Sequence, residues 1–483
     1  MNRVPITAPL IPNDRTAEDG ARLRIMTAAP FNLRKQVIGG SLWSILTKGV
    51  QTATAFLSVP LTLHYLGTER MGLWRMTISM LTIVSLLSAG LIPYMKTRMA
   101  EAFSEKDTHQ FAEYSSTSLL LGLALVLLGP LVALSAALFD WVSIMKVTDA
   151  VARRETLPLV MTIMVGTFAQ FGTMFIPAIL DAGMQLSKPR VYELIGSVLG
   201  FLMLLLGIHL RVSLPRLAAA TVAPGILIRL LMLPGLFQTG QALLLPHCPA
   251  AKRILREMLR PALLGMGIQC GSILIAVAPN FIVVRLLSLM DLTVFSISYQ
   301  VATLPLIVLG AMLPVFWPAF TATWRTGSRQ NLGRRLAQLC GGTAALSVLY
   351  AIGLGVLGPW AIRRWTHEMV NSDRWFLFML GIFTAVQGVL YWLSTFMWSV
   401  RELRMQMATQ AASAVMVLVL GFLLAGHYGL VGLALAMIVS IALGALGPMG
   451  WWAWKLTSGY AEHPGGQTVE RVPLSPVVKD DIA

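Results

Sequence analysis

Charge is what this sequence has least of. Only 12% of its 483 residues are Asp, Glu, Lys or Arg, against about 25% in a soluble domain. With 56% hydrophobic residues and a mean hydropathy of +0.71, the chain reads as a polytopic membrane protein. Its net charge of +15 is then no nucleic-acid signal, because basic residues in such proteins collect in cytoplasmic loops. Cysteine is scarce too. Cys248, Cys270 and Cys340 have no metal-ligand spacing, and the last two sit in apolar runs as small hydrophobes. Catalytic signatures are missing: there is no Walker A lysine motif, no HExxH and no pair of carboxylates at a plausible site. That excludes ATP hydrolysis on this chain, a metal site and an enzyme reading. His64, His209 and His427 are scattered near span ends and suit an interface. The first thirty residues are polar with no apolar core before a small-residue cleavage site, so they are not expected to be a signal peptide.

What is present is a series of apolar runs. A spanning helix needs about 20 such residues. Runs of that kind occur at 37–58, 72–94, 116–139, 157–180, 191–210, 215–237, 262–287, 292–319, 336–360, 375–398, 405–426 and 430–454. Twelve spans are predicted. With the N-terminus inside, 24 of the Lys and Arg residues fall on the inner side and 11 on the outer, which places both termini in the cytoplasm.

The runs repeat. At a shift of 221, Lys48 meets Gln269, Leu66 meets Leu287, Trp74 meets Phe295 and Pro93 meets Pro314. Gly129-Pro130 meets Gly358-Pro359, and His209 meets His427 at a shift of 218. Six spans per half make the repeats parallel. The expected organisation is a flexible tail at 1–34, a six-helix lobe at 35–237, a linker at 238–261, a second six-helix lobe at 262–454 and a tail at 455–483. Within the linker, Ile254, Leu255, Met258 and Leu259 oppose Lys252, Arg253, Arg256 and Arg260. That pattern predicts an amphipathic helix on the inner membrane surface, ended by Pro261.

Leu66 to Leu91, LGTERMGLWRMTISMLTIVSLLSAGL, carries Leu66-Gly67, Gly72-Leu73-Trp74 and Gly90-Leu91. In this stretch and in its six-plus-six plan, the chain resembles the polysaccharide transporter family. These are the Wzx-type flippases within the multidrug/oligosaccharidyl-lipid/polysaccharide (MOP) exporter superfamily. In the second half the Gly-Leu-Trp is replaced by Leu292-Thr293-Val294-Phe295. The resemblance implies an all-α, V-shaped, MATE-like fold of two six-helix lobes around a central cavity that opens to each side in turn. It implies a bacterial inner-membrane flippase for oligosaccharide on undecaprenyl pyrophosphate, serving O-antigen, capsule or exopolysaccharide synthesis. The pathway's polymerase and chain-length regulator would be partners. No cofactor is implied; coupling to a proton or sodium gradient is compatible with it, and no coupling residue stands out.

A pyrophosphate cannot cross hydrocarbon without partners, so its cavity should hold cations. Lys48 is the leading candidate. It lies in Val37 to Leu57, where Ser41, Ser44, Lys48, Gln51, Thr52 and Ala55 share one helical face. A mid-span cation costs about 2.5–3.5 kcal/mol on insertion scales and is a functional candidate by default. Arg75, Arg229 and Arg285 are the other cations at depth. Arg229 can also snorkel, Arg75 can act as an interfacial anchor beside Trp74, and Arg285 reads first as structural. Gln51, Gln269, Asn280, Tyr299 and Gln300 could hydrogen-bond sugar hydroxyls or neighbouring helices. Trp392 could stack on a sugar ring. Pro60, Pro177, Pro224, Pro279 and Pro314 are candidate hinges.

Two other readings remain. A multidrug antiporter would need a membrane-buried acid in the first lobe, and Val37 to Leu57 has none. A lipid II flippase carries two further spans after the twelfth, which this sequence does not show.

Overall fold

The computed structural model describes residues 33–83, 86–183, 185, 187–238, 248–325, 329–400 and 402–458. Most of the two predicted tails and residues 239–247 of the linker lie outside them. No strand occurs among the described residues. In chain order the helices are α1 (Leu33–Thr82), α2 (Leu86–Ser104), α3 (Thr108–Ser135), the short α4 (Trp141–Ile144), α5 (Ala150–Thr173), α6 (Phe175–Ala182), α7 (Ser187–His209), α8 (Leu214–Leu230) and α9 (Leu233–Gln238). There follow α10 (Cys248–Leu286), α11 (Leu289–Ala302), α12 (Leu304–Arg325), α13 (Arg329–Trp365), α14 (Arg374–Ser399), α15 (Leu403–Ile441) and α16 (Gly447–Thr457), the last two joined by a π-helical turn at Ala442–Leu446.

The twelve predicted runs fall on helical backbone but do not appear as twelve separate helices. Among the described residues, eight stretches are long and apolar enough to cross a membrane. A ninth forms if α11 and the start of α12, bent by 46°, are one span. The runs at 405–426 and 430–454 share one 55-residue stretch, Leu403–Thr457, because the chain turns the corner in a single residue. Gly429 does this with φ +58°, and Gly67 turns α1 with φ +76°. Both values lie where a Cβ is strained.

The internal repeat shows in the backbone. Lys146 and His367 both adopt left-handed φ, at 51° and 50°, and lie 221 residues apart. Arg211 and Gly429 do the same 218 residues apart. In the second lobe the chain bends by 46° between Ala302 and Leu304, just before Pro305. Pro279 and Pro314, expected as hinges, lie within continuous helix.

The linker also differs from expectation. The helix does not stop at Pro261: α10 runs unbroken from Cys248 to Leu286. Its apolar stripe is divided: Leu255 and Leu259 stay exposed, at 38% and 60%, while the other two residues turn inward. Ile254 and Met258 are buried in a cluster with Met95, Met99, Phe111 and Ile176 of the first lobe, and Arg253 pairs with Glu113 at 3.2 Å. Packing on the first lobe removes that half of the stripe from solvent.

The two lobes meet closely where α1 crosses α11, at the end that the charge bias assigns to the outside. Gly72 lies against the backbone carbonyl of Leu289, so a Cβ there would collide with it. Thr293 donates to the carbonyl of Thr68 at 2.6 Å across the same junction. Gly72→Val is expected to lower the stability of the purified protein by about 1–3 kcal/mol, the cost of overpacking. Thermal unfolding in detergent measures it, and an unchanged midpoint would contradict this contact.

Candidate functional site: a cationic cavity between the lobes

A cavity of about 970 Å³ separates the lobes. Its first wall is the polar face of α1, with Lys48, Gln51, Thr52, Ser58 and Thr62, followed by Trp74, Arg75 and Ser79 beyond the Gly67 corner. Its second wall comes from α10 to α14, with Asn280, Tyr299, Gln300, Thr303, Gln387 and Tyr391. The α1 face is polar because its small and hydroxyl residues recur at helical spacing. Thr52 and Thr62 return their hydroxyls to the preceding turn of their own helix, so they polarise the wall without leaving unpaired donors.

Two cations line the cavity, and no acid does. Lys48 is exposed to the cavity, with no carboxylate within 4 Å among the described residues. Arg75 is half-buried, and Nη2 donates to Oε1 of Gln300 in the opposite lobe at 3.1 Å. Gln300 Nε2 in turn reaches the Ala55 carbonyl at 3.5 Å. Asn280 donates to Ser79 Oγ at 2.7 Å, again across the lobes. Phe56 stacks on Trp365 with centroids 5.2 Å apart. The cavity is thus bridged by hydrogen bonds to neutral acceptors, and among the described residues no acid lines it to offset its charge.

The structure brings Lys48, Arg75, Gln51, Asn280, Tyr299 and Gln300 onto this one cavity. It does not bring the other candidates there. Arg285 is exposed at the end of α10, where its carbonyl accepts from Lys146 at 2.6 Å. Gln269 is exposed on α10 about two turns before Ala276 and is not among the residues that line the cavity, where Ala276 and Asn280 represent this helix. Trp392 is 2% exposed. Its indole N–H donates to Thr343 at 2.8 Å, and its ring meets Phe316 edge-on at 4.9 Å, so it packs the second lobe and offers no face to a sugar.

Arg229 lies elsewhere again. It lines a side chamber of about 470 Å³ inside the first lobe, with Gln170, Tyr192, Glu193 and Ser197. Beside this chamber runs an ion network that hydropathy alone did not reveal. Asp181, on the buried helix α6, accepts from Lys96 at 2.7 Å and Arg190 at 3.1 Å. Arg190 also pairs with Glu193 at 3.1 Å. The first lobe therefore does hold acids, and both are matched by cations. Asp181 and Glu193 stand 12 residues apart on two different helices, so only the fold shows that they share Arg190. No group of three or more His, Cys, Asp or Glu is placed to hold a metal among the described residues.

The architecture has solved counterparts. Over 88% of this chain and 100% of the other, it superimposes on the inward-facing conformation of a multidrug resistance MATE family transporter of the MOP superfamily, with TM-score 0.73 and 14% identity. The chain has the fold of a MOP superfamily transporter. It also matches lipid II flippase MurJ in an inward closed conformation, with TM-score 0.62 and 12% identity over 86% of this chain and 87% of that one. A third match is a MOP superfamily transporter from Pyrococcus furiosus, described as having a binding pocket of reverse polarity. Its TM-score is 0.56, with 12% identity over 91% of this chain and 98% of that one. By sequence, the chain matches no family model and no curated protein.

Gln300→Leu deprives Arg75 of its cross-lobe acceptor. An unpaired buried donor costs about 1–3 kcal/mol, and the loss is expected in thermal unfolding. Gln300→Glu should restore the bond. If Gln300→Leu costs as much in an Arg75→Met background, the two residues are not coupled.

Proposed function

We propose that this protein is a flippase for oligosaccharide linked to undecaprenyl pyrophosphate, working by alternating access in the bacterial inner membrane. The observation that carries this reading is the central cavity's sign: Lys48 and Arg75 line it and no acid does. A pyrophosphate is the anion such a cavity can compensate at membrane depth, where an unmatched charge is costly. Gln51, Asn280, Tyr299 and Gln300 offer amide and hydroxyl partners for sugars on both walls. The prenyl chain would remain in lipid, and the flipped glycan would pass to the polymerase and chain-length regulator of an O-antigen, capsule or exopolysaccharide pathway.

The MurJ-like architecture favours one second reading, a lipid II flippase, whose cargo would present the same pyrophosphate to the same cations. An antiporter for organic cations fits less well, because a cationic cavity repels such a substrate and the first-lobe acids are already paired.

Lys48→Ala should abolish glycan export while leaving the protein in the membrane. Complementation of a flippase-deficient strain measures it, with membrane abundance read in parallel. Full complementation by the variant would rule out Lys48 as the anion contact. Lys48→Arg, which keeps the charge, should retain most of the activity.

A further inference from the structure

The side chamber of the first lobe has no place in the anion site. It opens into the central cavity, because Gln51, Ala55, Ser58, Leu204 and Thr221 line both. Its own walls come from α5 (Gln170, Met174), α7 (Tyr192 to Leu204) and α8 (Thr221 to Arg229). Its volume, about 470 Å³, falls in the range of roughly 300–1,000 Å³ for small-molecule pockets.

The chemistry of the chamber differs from that of the cavity. Arg229 is a cation, but Glu193 lines the same space. Arg229 donates to the Gln170 carbonyl at 3.4 Å, and Glu193 is held by Arg190. The chamber thus offers a fixed acceptor, a fixed donor and the neutral amides and hydroxyls of Gln51, Gln170, Ser197 and Tyr192. Glu193 offsets Arg229 here, whereas no acid among the described residues lining the central cavity offsets Lys48 and Arg75. A neutral group rich in hydroxyls can use both charged side chains. Room for it comes from glycine. Gly196 packs beside Gly225 and Gly200 beside Thr221, which draws α7 and α8 together. A Cβ added at Gly225 meets nothing within 4 Å, so that position faces open chamber.

The mouth of the chamber also has the right spacing. Gln51 follows Lys48 by one helical turn, about 4.5 Å along α1, and donates to Ser197 at 3.2 Å on the threshold. Lys48 lines the cavity and not the chamber. A phosphate at Lys48 would therefore place the group attached to it at Gln51 and the chamber mouth. We infer that this chamber is the binding site for the sugar residue directly attached to the pyrophosphate, and so selects the cargo by its first sugar. The inference rests on the flippase reading above.

Binding to the purified full-length protein tests it. The probes are undecaprenyl pyrophosphate alone and the same lipid carrying one glucose, galactose, N-acetylglucosamine or N-acetylgalactosamine. The wild type should bind at least one sugar-bearing probe about tenfold more tightly than the bare lipid, a difference of 1.4 kcal/mol. Gly225→Leu, which fills the chamber, should erase that preference and leave affinity for the bare lipid unchanged. Gly225→Ala should keep the preference. Gln170→Ala removes an amide from the same wall without adding bulk; it should reduce the preference several-fold and stands in if the leucine variant does not fold. Equal wild-type affinity for all five probes overturns the chamber assignment and leaves the anion reading intact. A preference undiminished in both Gly225→Leu and Gln170→Ala does the same. Failure of the bare lipid and of every sugar-bearing probe to bind the wild type overturns the flippase reading, and this assignment with it.

Discussion

A cation within a bilayer must be matched by an acid or have a reason to stand open, because its desolvation is costly. The fold sorts its cations by that rule. Arg70 is clamped by Glu155 at 2.7 Å, and Lys96 and Arg190 share Asp181. Lys48 and Arg75 are left outside this arrangement, on the cavity. The neighbouring acids are occupied: Asp181 is 6% exposed at its side chain and already takes two cations. Asp181, Glu193 and Glu155 are thus each paired with another base and not with Lys48 or Arg75.

The two lobes contribute unequally. All of the ion pairs within the first lobe lie between its own helices or its linker, whereas the cavity wall of the second lobe is neutral. Neutral hydrogen bonds can be exchanged for water or ligand at little net cost, which suits a surface that must part from its partner and meet it again. The bond from Asn280 to Ser79 is of this exchangeable kind, whereas that from Arg75 to Gln300 has a charged donor and is stronger. The Gly72 contact with Leu289 is different, since it is fixed by backbone shape.

Much of this was legible in the sequence. Low charge and apolar runs gave the all-helical membrane class, and the α1 face with Lys48 could be read from helical spacing before any coordinates. Gln51, Asn280, Tyr299 and Gln300 were readable as polar residues in apolar surroundings. Pairing was not. Arg229 and Glu193 are 36 residues apart, and nothing local indicates that they share a chamber. Trp392 looked exposed to a cavity because a helical period does not say which neighbour covers which face; here Phe316 and Thr343 do. In the linker, spacing showed the apolar stripe but not that Ile254 and Met258 pack on the first lobe while Leu255 and Leu259 stay exposed. Helix number was obscured by corners made of one glycine, which hydropathy reads as a gap and backbone geometry as a bend.

Helix α10 begins on the first lobe and ends in the second. Its 39 residues make a rod of about 58 Å at 1.5 Å per residue. Near one end Ile254 and Met258 are packed with Met95 and Phe111; towards the other, Ile282 is buried in the larger cluster with Val417 and Leu433. A continuous rod gripped at both ends transmits torque, whereas a loose linker only tethers. Any rocking of one lobe must then turn this shaft or slide along it, so the two halves of the molecule would move as geared parts.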